Sequence, residues 1–330
     1  MTPALQLEIL DLRHFSAASL RPLLEAEARL WSERLEWDYR ASANLLLQYL
    51  DSRVLPGYVA IEGGRISGYV FCVYEDHKAV IGDVFAVPPQ NSEATAAEVE
   101  GRLLENLIEL LQNSPGVNRI ESQLLLHPHG MHANVFRFAG FEISKRLFLR
   151  LDLTRAAVPA ASQALPEGMV MRPWKDDDFN PAAHLISAAY EGHLDSHIND
   201  QYRTVAGSLR FLHNIVRFPG CGFFDAAASR VLTRPGSGEL AGVLLCSRVR
   251  EDVAHVTQLC VARAYRGHGC GRILIDACAE DVRRREFRAV TLTVTEANDP
   301  AVALYHHAGF AEMHSFDAML WERAGQLRSG

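Results

Sequence analysis

Residues Gln258–Ala277 read Gln-Leu-Cys-Val-Ala-Arg-Ala-Tyr-Arg-Gly-His-Gly-Cys-Gly-Arg-Ile-Leu-Ile-Asp-Ala. An apolar strand ends near Val261, a short turn follows, and Ile273, Leu274 and Ala277 open an apolar helix. Glycines let the backbone approach an anion closely and turn its N–H groups inward. A helix start adds unpaired N–H donors and the positive end of the helix dipole. Arg266, Gly267, His268, Gly269, Cys270, Gly271 and Arg272 therefore form a candidate phosphate cradle, with the two arginines as countercharge. Three spaced glycines also suit an ordinary tight strand-to-helix turn. A dinucleotide-binding βαβ unit is a further reading, but it fits poorly: the loop lies late in the chain, and no acidic residue clearly ends a following strand.

The chain has 330 residues, 48% apolar and 22% charged, which leaves room for two soluble domains. A formal net charge of −7 argues against a broad electrostatic grip on nucleic acid. Residues 1–153 hold 14 Lys+Arg against 20 Asp+Glu, and the remainder is close to balanced. An anionic cofactor thus suits the second half better. The six cysteines, at 72, 221, 246, 260, 270 and 278, form no CxxC pair and mostly lie in apolar runs. They read as buried thiols in a reducing compartment. No 18-residue apolar run and no basic-then-apolar leader is present, so the expectation is a cytoplasmic protein with no membrane or nucleic-acid partner.

Working outward, the order of elements occurs twice. Helices over 16–34 and 41–50 precede strands over 58–61, 66–74 and 80–87, then a helix over 93–112, a strand over 119–126, a short helix over 132–138 and a strand over 145–153. Residues 154–168 are small, Pro-containing and aperiodic, and read as a linker. A strand over 169–172, helices over 178–189 and 201–211, a strand over 222–233, a turn over 234–239 and strands over 240–249 and 254–261 come next. A helix over 271–285, a strand over 289–295, a helix over 301–308 and a strand over 313–321 complete the set. Individual residues match as well. Gly68 to Val87 and Gly242 to Val261 both span 19 positions, and Phe136–Phe141 parallels Tyr305–Phe310. The expectation is one fold written twice, with domains over 1–153 and 169–330.

Residues 240–310 resemble the GNAT (GCN5-related N-acetyltransferase) superfamily. Arg266–Gly271 matches the family's Arg/Gln-x-x-Gly-x-Gly/Ala loop, and Asn298–Phe310 matches Asn-x-x-Ala-x-x-Leu-Tyr-x-x-x-Gly-Phe. The first half resembles the family only in order and spacing. The resemblance implies an α/β fold of two tandem domains, each a mixed, mostly antiparallel sheet flanked by helices. It implies acetyl-CoA as co-substrate, with its pyrophosphate on the loop and its pantetheine arm on the backbone of Leu259, Cys260 and Val261. It also puts Tyr305 near the sulfur as general acid. Many members carry a Glu on the strand leading to the loop; here His255 stands at the comparable position, as a base or as an edge-strand histidine. An amine that deprotonates through water is the other route. Asn298 caps the following helix or touches the cofactor.

The resemblance also places the acceptor site between the first two helices, over 188–200. There Glu191, Asp195 and Asp200 suit a cationic amine and Tyr190 suits a cover for it; a solvated loop is the other reading. His193 and His197 have the spacing of a metal pair but no third ligand is evident, so no metal is expected. After Val87 the first copy has two prolines, no glycine ladder and no arginine, while Glu93 and Glu98 lie where phosphate would sit and Phe136 replaces the tyrosine. The reading is a degenerate first domain and a catalytic second one, as in tandem members of the family. The function expected is acetyl transfer to a primary amine of a small molecule or peptide. The alternative is a non-catalytic acyl-CoA sensor or interaction module. Acceptor identity, acyl length and oligomeric state stay open.

Overall fold

The computed structural model of the protein describes residues 7–88, 95–154, 165–218, 220–236 and 238–324. Most of the linker expected over 154–168, and Glu93, lie outside the described residues. By packing, the chain divides into two units. One holds the described residues up to Leu35, Tyr39–Arg146 and those from Ser315 onward; the other holds Glu36–Asp38 and Leu147–His314. This division departs from the repeat boundaries. Leu147, Leu149, Leu151 and Leu153 are core residues of the second unit, and Met319 is a core residue of the first. Strand alternation tells which side chains are buried, not which neighbour buries them.

The first unit opens with β1 (Glu8–Asp11), α1 (Ala17–Leu35) and α2 (Arg40–Asp51). The strands β2 (Gly57–Glu62), β3 (Arg65–Glu75) and β4 (Lys78–Ala86) follow as an antiparallel meander. Then come α3 (Ala96–Asn113), β5 (Arg119–Gln123), α4 (Ala133–Phe138) and β6 (Glu142–Asp152). The apolar positions of α3 recur at helical spacing. Val99, Leu103, Leu104, Leu107 and Leu111 are all buried, each worth about 1.5–3 kcal/mol.

The second unit contains β7 (Val170–Pro173), α5 (Phe179–Ala189), α6 (Leu194–Ile198), α7 (Val205–Arg217), β8 (Phe223–Phe224) and β9 (Arg230–Thr233). It continues with β10 (Leu240–Arg250), β11 (Val253–Val261), α8 (Cys270–Arg284), β12 (Ala289–Thr295) and α9 (Asp299–His307). The last strand, β13 (Ala311–Glu322), begins in the second unit; its residues Ala318–Glu322 belong to the first unit and pair there with β5. Two expected elements divide. The helix over 201–211 begins only at Val205, because the Thr204 side chain accepts from Gly207 N–H and caps it there. The strand over 222–233 breaks at Asp225, whose carboxylate takes the Ala228 N–H in a turn.

Each unit is a mixed, mostly antiparallel sheet flanked by helices, and among the described residues each contains a parallel pair. β4 meets β5 over Lys78–Ile81 only, and β11 meets β12 over Val253–Val256 only. Beyond that the strands part, so one edge of each long strand is left without a strand partner in the ladder. A bulge precedes each parting: Gly82 is passed over in β4 and Thr257 in β11. The register also corrects the repeat alignment by one residue. Gly68 faces Ala86, whereas Gly242 faces Val261. A second bulge near Val249 adds the extra residue, so Ala86, not Val87, is the partner of Val261.

Candidate active site

The glycine loop connects the parted strand β11 to α8. Gly267 and Gly269 have φ of 77° and 76°, a left-handed backbone that only glycine adopts readily. Gly269 is the N-cap of α8, and no side chain caps this helix. Its first-turn N–H groups therefore meet the cleft without a side-chain acceptor of their own, the arrangement that binds anions. Arg266 ties the site together. Its Nε donates to the Val261 carbonyl at 3.1 Å and its Nη2 to the Ala189 carbonyl at 2.8 Å. Arg272 is paired within the helix, donating to Asp276 at 2.7 Å and to the His307 carbonyl at 2.7 Å. Of the two expected countercharges, Arg266 is thus a clamp that keeps its charge, and Arg272 is balanced by Asp276.

Strand alternation sorts the backbone groups. Ala262 N–H bonds Ala241 in β10, so the groups of Leu259 and Val261 face the opposite, open edge. There the Leu259 N–H is taken by Gln258 Oε1 at 3.1 Å and the Val261 carbonyl by Arg266. The Cys260 backbone faces β10. Burial pushes its thiol up to about 12, which leaves it protonated and inert.

Across the cleft stands α9. Asn298 accepts the Ala301 N–H at 3.3 Å, a capping role, and also lines the cleft. Gly271 lets α8 and α9 close on each other: a Cβ there would lie 3.1 Å from Leu304 Cδ2. Tyr305, 7% exposed, lines the cleft and meets Phe310 edge-on at 5.9 Å between centroids. The cleft has a volume of about 520 Å³ and is walled by Leu259–Val261, the glycine loop, Tyr190, His193, Asn298 and Tyr305. His268 does not line it; its Nδ1 lies 2.9 Å from the Arg266 carbonyl.

The expected acceptor residues separate. Tyr190 lines the cleft, its hydroxyl donating to Gln258 Oε1 at 3.1 Å, and burial pushes that hydroxyl well above its ordinary pKa. Asp195 accepts from Thr295 Oγ1 at 2.5 Å, behind His193. Glu191 stands away from the cleft with a largely exposed side chain, 3.9 Å from Arg263. His193, weighed in the sequence only as half of a metal pair, does line the cleft. Its Nδ1 lies 3.1 Å from the Asp195 N–H and its Nε2 3.5 Å from Asn298 Nδ2. Gln258 went unread in the sequence because nothing local announces the bulge that aims it.

His255 is not among the residues around the cleft. It is buried between Trp37 and Phe148, with Nδ1 2.9 Å from Thr291 Oγ1. Burial pulls its pKa down to about 3, far too low to take a proton from an ammonium.

The first unit keeps the parted strand and fills the opening. The N-terminus of α3 is closed by its own capping box: Thr95 Oγ1 accepts from Glu98 N–H, and Glu98 accepts from Thr95 N–H at 2.7 Å. Ala86 N–H, on the open edge of β4, donates to Glu100 Oε1 at 3.0 Å. Phe136 is fully buried in the core.

Residues 201–310 match the model of the acetyltransferase (GNAT) family. A curated relative, the mycothiol acetyltransferase of Propionibacterium freudenreichii subsp. shermanii, is 25% identical over 77% of this chain and 73% of its own. Two solved structures share the fold along nearly the whole length. A tandem GNAT protein from the clavulanic acid biosynthesis pathway has a TM-score of 0.60 and 18% identity, covering 96% of this chain and 98% of its own. A GCN5-related N-acetyltransferase from Sphaerobacter thermophilus has a TM-score of 0.66 and 16% identity, covering 98% and 97%. No described helix is long and apolar enough to cross a membrane. The glycine loop and α9 thus lie in a segment that matches the GNAT acetyltransferase family, and the chain as a whole shares the fold of solved GNAT proteins, a tandem one among them.

Proposed function

We propose that the second unit transfers an acetyl group from acetyl-CoA to a primary amine of a small molecule or peptide, and that the first unit carries no acetyl-CoA site. The observation that carries this reading is the uncapped start of α8 beside the open edge of β11, facing Tyr305 across one cleft. The fit is chemical as well as spatial. Helix N–H groups and the Arg266 charge suit a pyrophosphate, and the Leu259 carbonyl and Val261 N–H on the open edge suit an amide-bearing arm.

Transfer forms an N–C bond and breaks the C–S bond of the thioester. Tyr305 gives its proton to the departing sulfur and recovers one from solvent. The attacking amine loses its proton to water, since His255 is outside the cleft. Holding both reactants in one cleft supplies much of the acceleration. The curated relative is named for mycothiol, so amines related to mycothiol belong in the acceptor screen.

The test is calorimetric titration with acetyl-CoA followed by a screen of amines with thiol release as readout. Arg266→Glu is expected to abolish binding. Absence of acetyl-CoA binding to the intact chain defeats the proposal. Binding with no transfer to any amine favours the sensor reading.

A further inference from the structure

We infer that Glu100, His127 and His132 form a binding site for one divalent transition-metal cation of the zinc type, set at the open edge of β4 in the first unit. Among the described residues this is the one group of three whose ligand atoms lie within 4.8 Å of one another, and all three residues are buried. His127 Nε2 is 3.3 Å and His132 Nε2 is 3.1 Å from the same oxygen, Glu100 Oε2. Charge-assisted hydrogen bonds to a carboxylate run shorter, at about 2.7–2.9 Å. Ligands about 2.1 Å from a common metal stand roughly 3.0–3.4 Å apart in octahedral to tetrahedral geometry, the spacing seen here. Two imidazole nitrogens and one carboxylate oxygen suit zinc or its neighbours rather than magnesium or calcium.

The surroundings hold these ligands in place. Glu100 Oε1 is fixed by the Ala86 N–H, so Oε2 alone is presented. The loop carrying both histidines is pinned by Asp317, which accepts from Gly130 N–H at 2.8 Å and meets His129 Nδ1 at 2.5 Å. The His129 N–H also donates to the Ser315 carbonyl at 2.8 Å. Such outer contacts set ligand orientation before the metal arrives. His127 Nδ1 is buried without a hydrogen-bond partner among the described residues. Coordination through Nε2 places the single imidazole proton on that Nδ1, so loading displaces no proton from a neutral ring. The site lies where the second unit has its cleft: the carboxylate on Ala86 occupies the edge that Val261 presents there.

The experiment uses the full chain, unfolded in chelator and refolded with one equivalent of Co²⁺. The expected result is one Co²⁺ per chain retained through gel filtration, with visible d–d absorption. Glu100→Gln and His132→Gln are each expected to lower affinity by more than the roughly 10–100-fold that loss of an outer partner costs, while His14→Gln, at an exposed site, retains it. A ¹¹³Cd chemical shift on the unaltered chain reads the donor set directly and does not depend on the variants folding. A nitrogen–oxygen shift supports the site, and a sulfur shift overturns it. Folded protein that retains no stoichiometric Co²⁺, or retention unchanged in both variants, also overturns it.

Discussion

The Tyr190 hydroxyl donates to Gln258 Oε1 at 3.1 Å, joining the end of α5 to the bulged turn of β11 that leads into the cleft. The same oxygen accepts the Leu259 N–H, and Gln258 Nε2 is buried with no partner among the described residues. Tyr190→Phe removes one donor and leaves the rest of this arrangement in place. A lost hydrogen bond of this kind costs about 1 kcal/mol, which corresponds to a fall in Tm of roughly 2–4 °C for a unit of this size. The expected kinetic effect is a rise of several-fold in KM for the amine with KM for acetyl-CoA unchanged. An equal rise in both would place Tyr190 on the donor side.

Tyr305 lines the cleft from α9, and the role proposed for it is to give its phenol proton to the departing sulfur. Tyr305→Phe keeps the edge contact with Phe310 and removes the hydroxyl. The expected outcome is a loss of about 10²–10⁴ in kcat with acetyl-CoA affinity retained, checked by steady-state rates alongside calorimetry. Rates within threefold of the unaltered chain would reduce Tyr305 to a packing residue.

The glycine loop, Tyr305 and Asn298 were legible in the sequence because their chemistry is local: left-handed turns, a helix start and a cap are set by neighbouring residues. Gln258 and His255 show where legibility ends. They are three positions apart on one strand, yet a single bulged residue, Thr257, sends Gln258 to Tyr190, while burial between Trp37 and Phe148 takes His255 from the chemistry. Neither the bulge nor the identity of a distant packing partner has a sequence signature. The one-residue slip between Val87 and Ala86 has the same origin, an extra bulge at Val249. Glu100 falls within the helix expected over 93–112, where nothing local marks it as a ligand. Its partners His127 and His132 arrive from a loop 27 or more positions later, a separation that periodicity does not register.

His255 gives acid sensitivity rather than catalysis. Its pKa is about 3 when folded, against an ordinary value near 6.5. A depressed folded pKa contributes stability that is full above about 6.5 and is lost as pH falls toward 3. Denaturant melts at pH 7 and pH 5 are expected to differ by up to about 2 kcal/mol on this account, and His255→Gln is expected to remove that part of the difference. The same variant is expected to keep kcat within about threefold at pH 7.5. A loss near the 10²-fold of an absent general base would restore the catalytic role.

Glu27 and Asp83 act in the opposite sense. Both are buried in the first unit and hydrogen-bonded to each other, and Glu27 also accepts the Tyr69 hydroxyl at 2.5 Å and Trp31 Nε1 at 3.3 Å. Burial raises both carboxyls; the Glu27 charge raises Asp83 further, while the hydrogen bond from Asp83 pulls partly the other way on Glu27. A raised folded pKa contributes stability that is full below the unfolded value, near 4, and is lost as pH rises through the folded one. Asp83→Asn leaves the oxygen that accepts the Val84 N–H and supplies an amide donor to Glu27 in place of a proton. Its stability relative to the unaltered chain is therefore expected to increase from pH 5 to pH 8, measured by parallel urea melts. Glu27→Leu, which removes the acceptor of the Tyr69 hydroxyl, is expected to destabilise by about 1–3 kcal/mol at both pH values. A flat difference for Asp83→Asn across that range would show that the two carboxyls hold no proton between them.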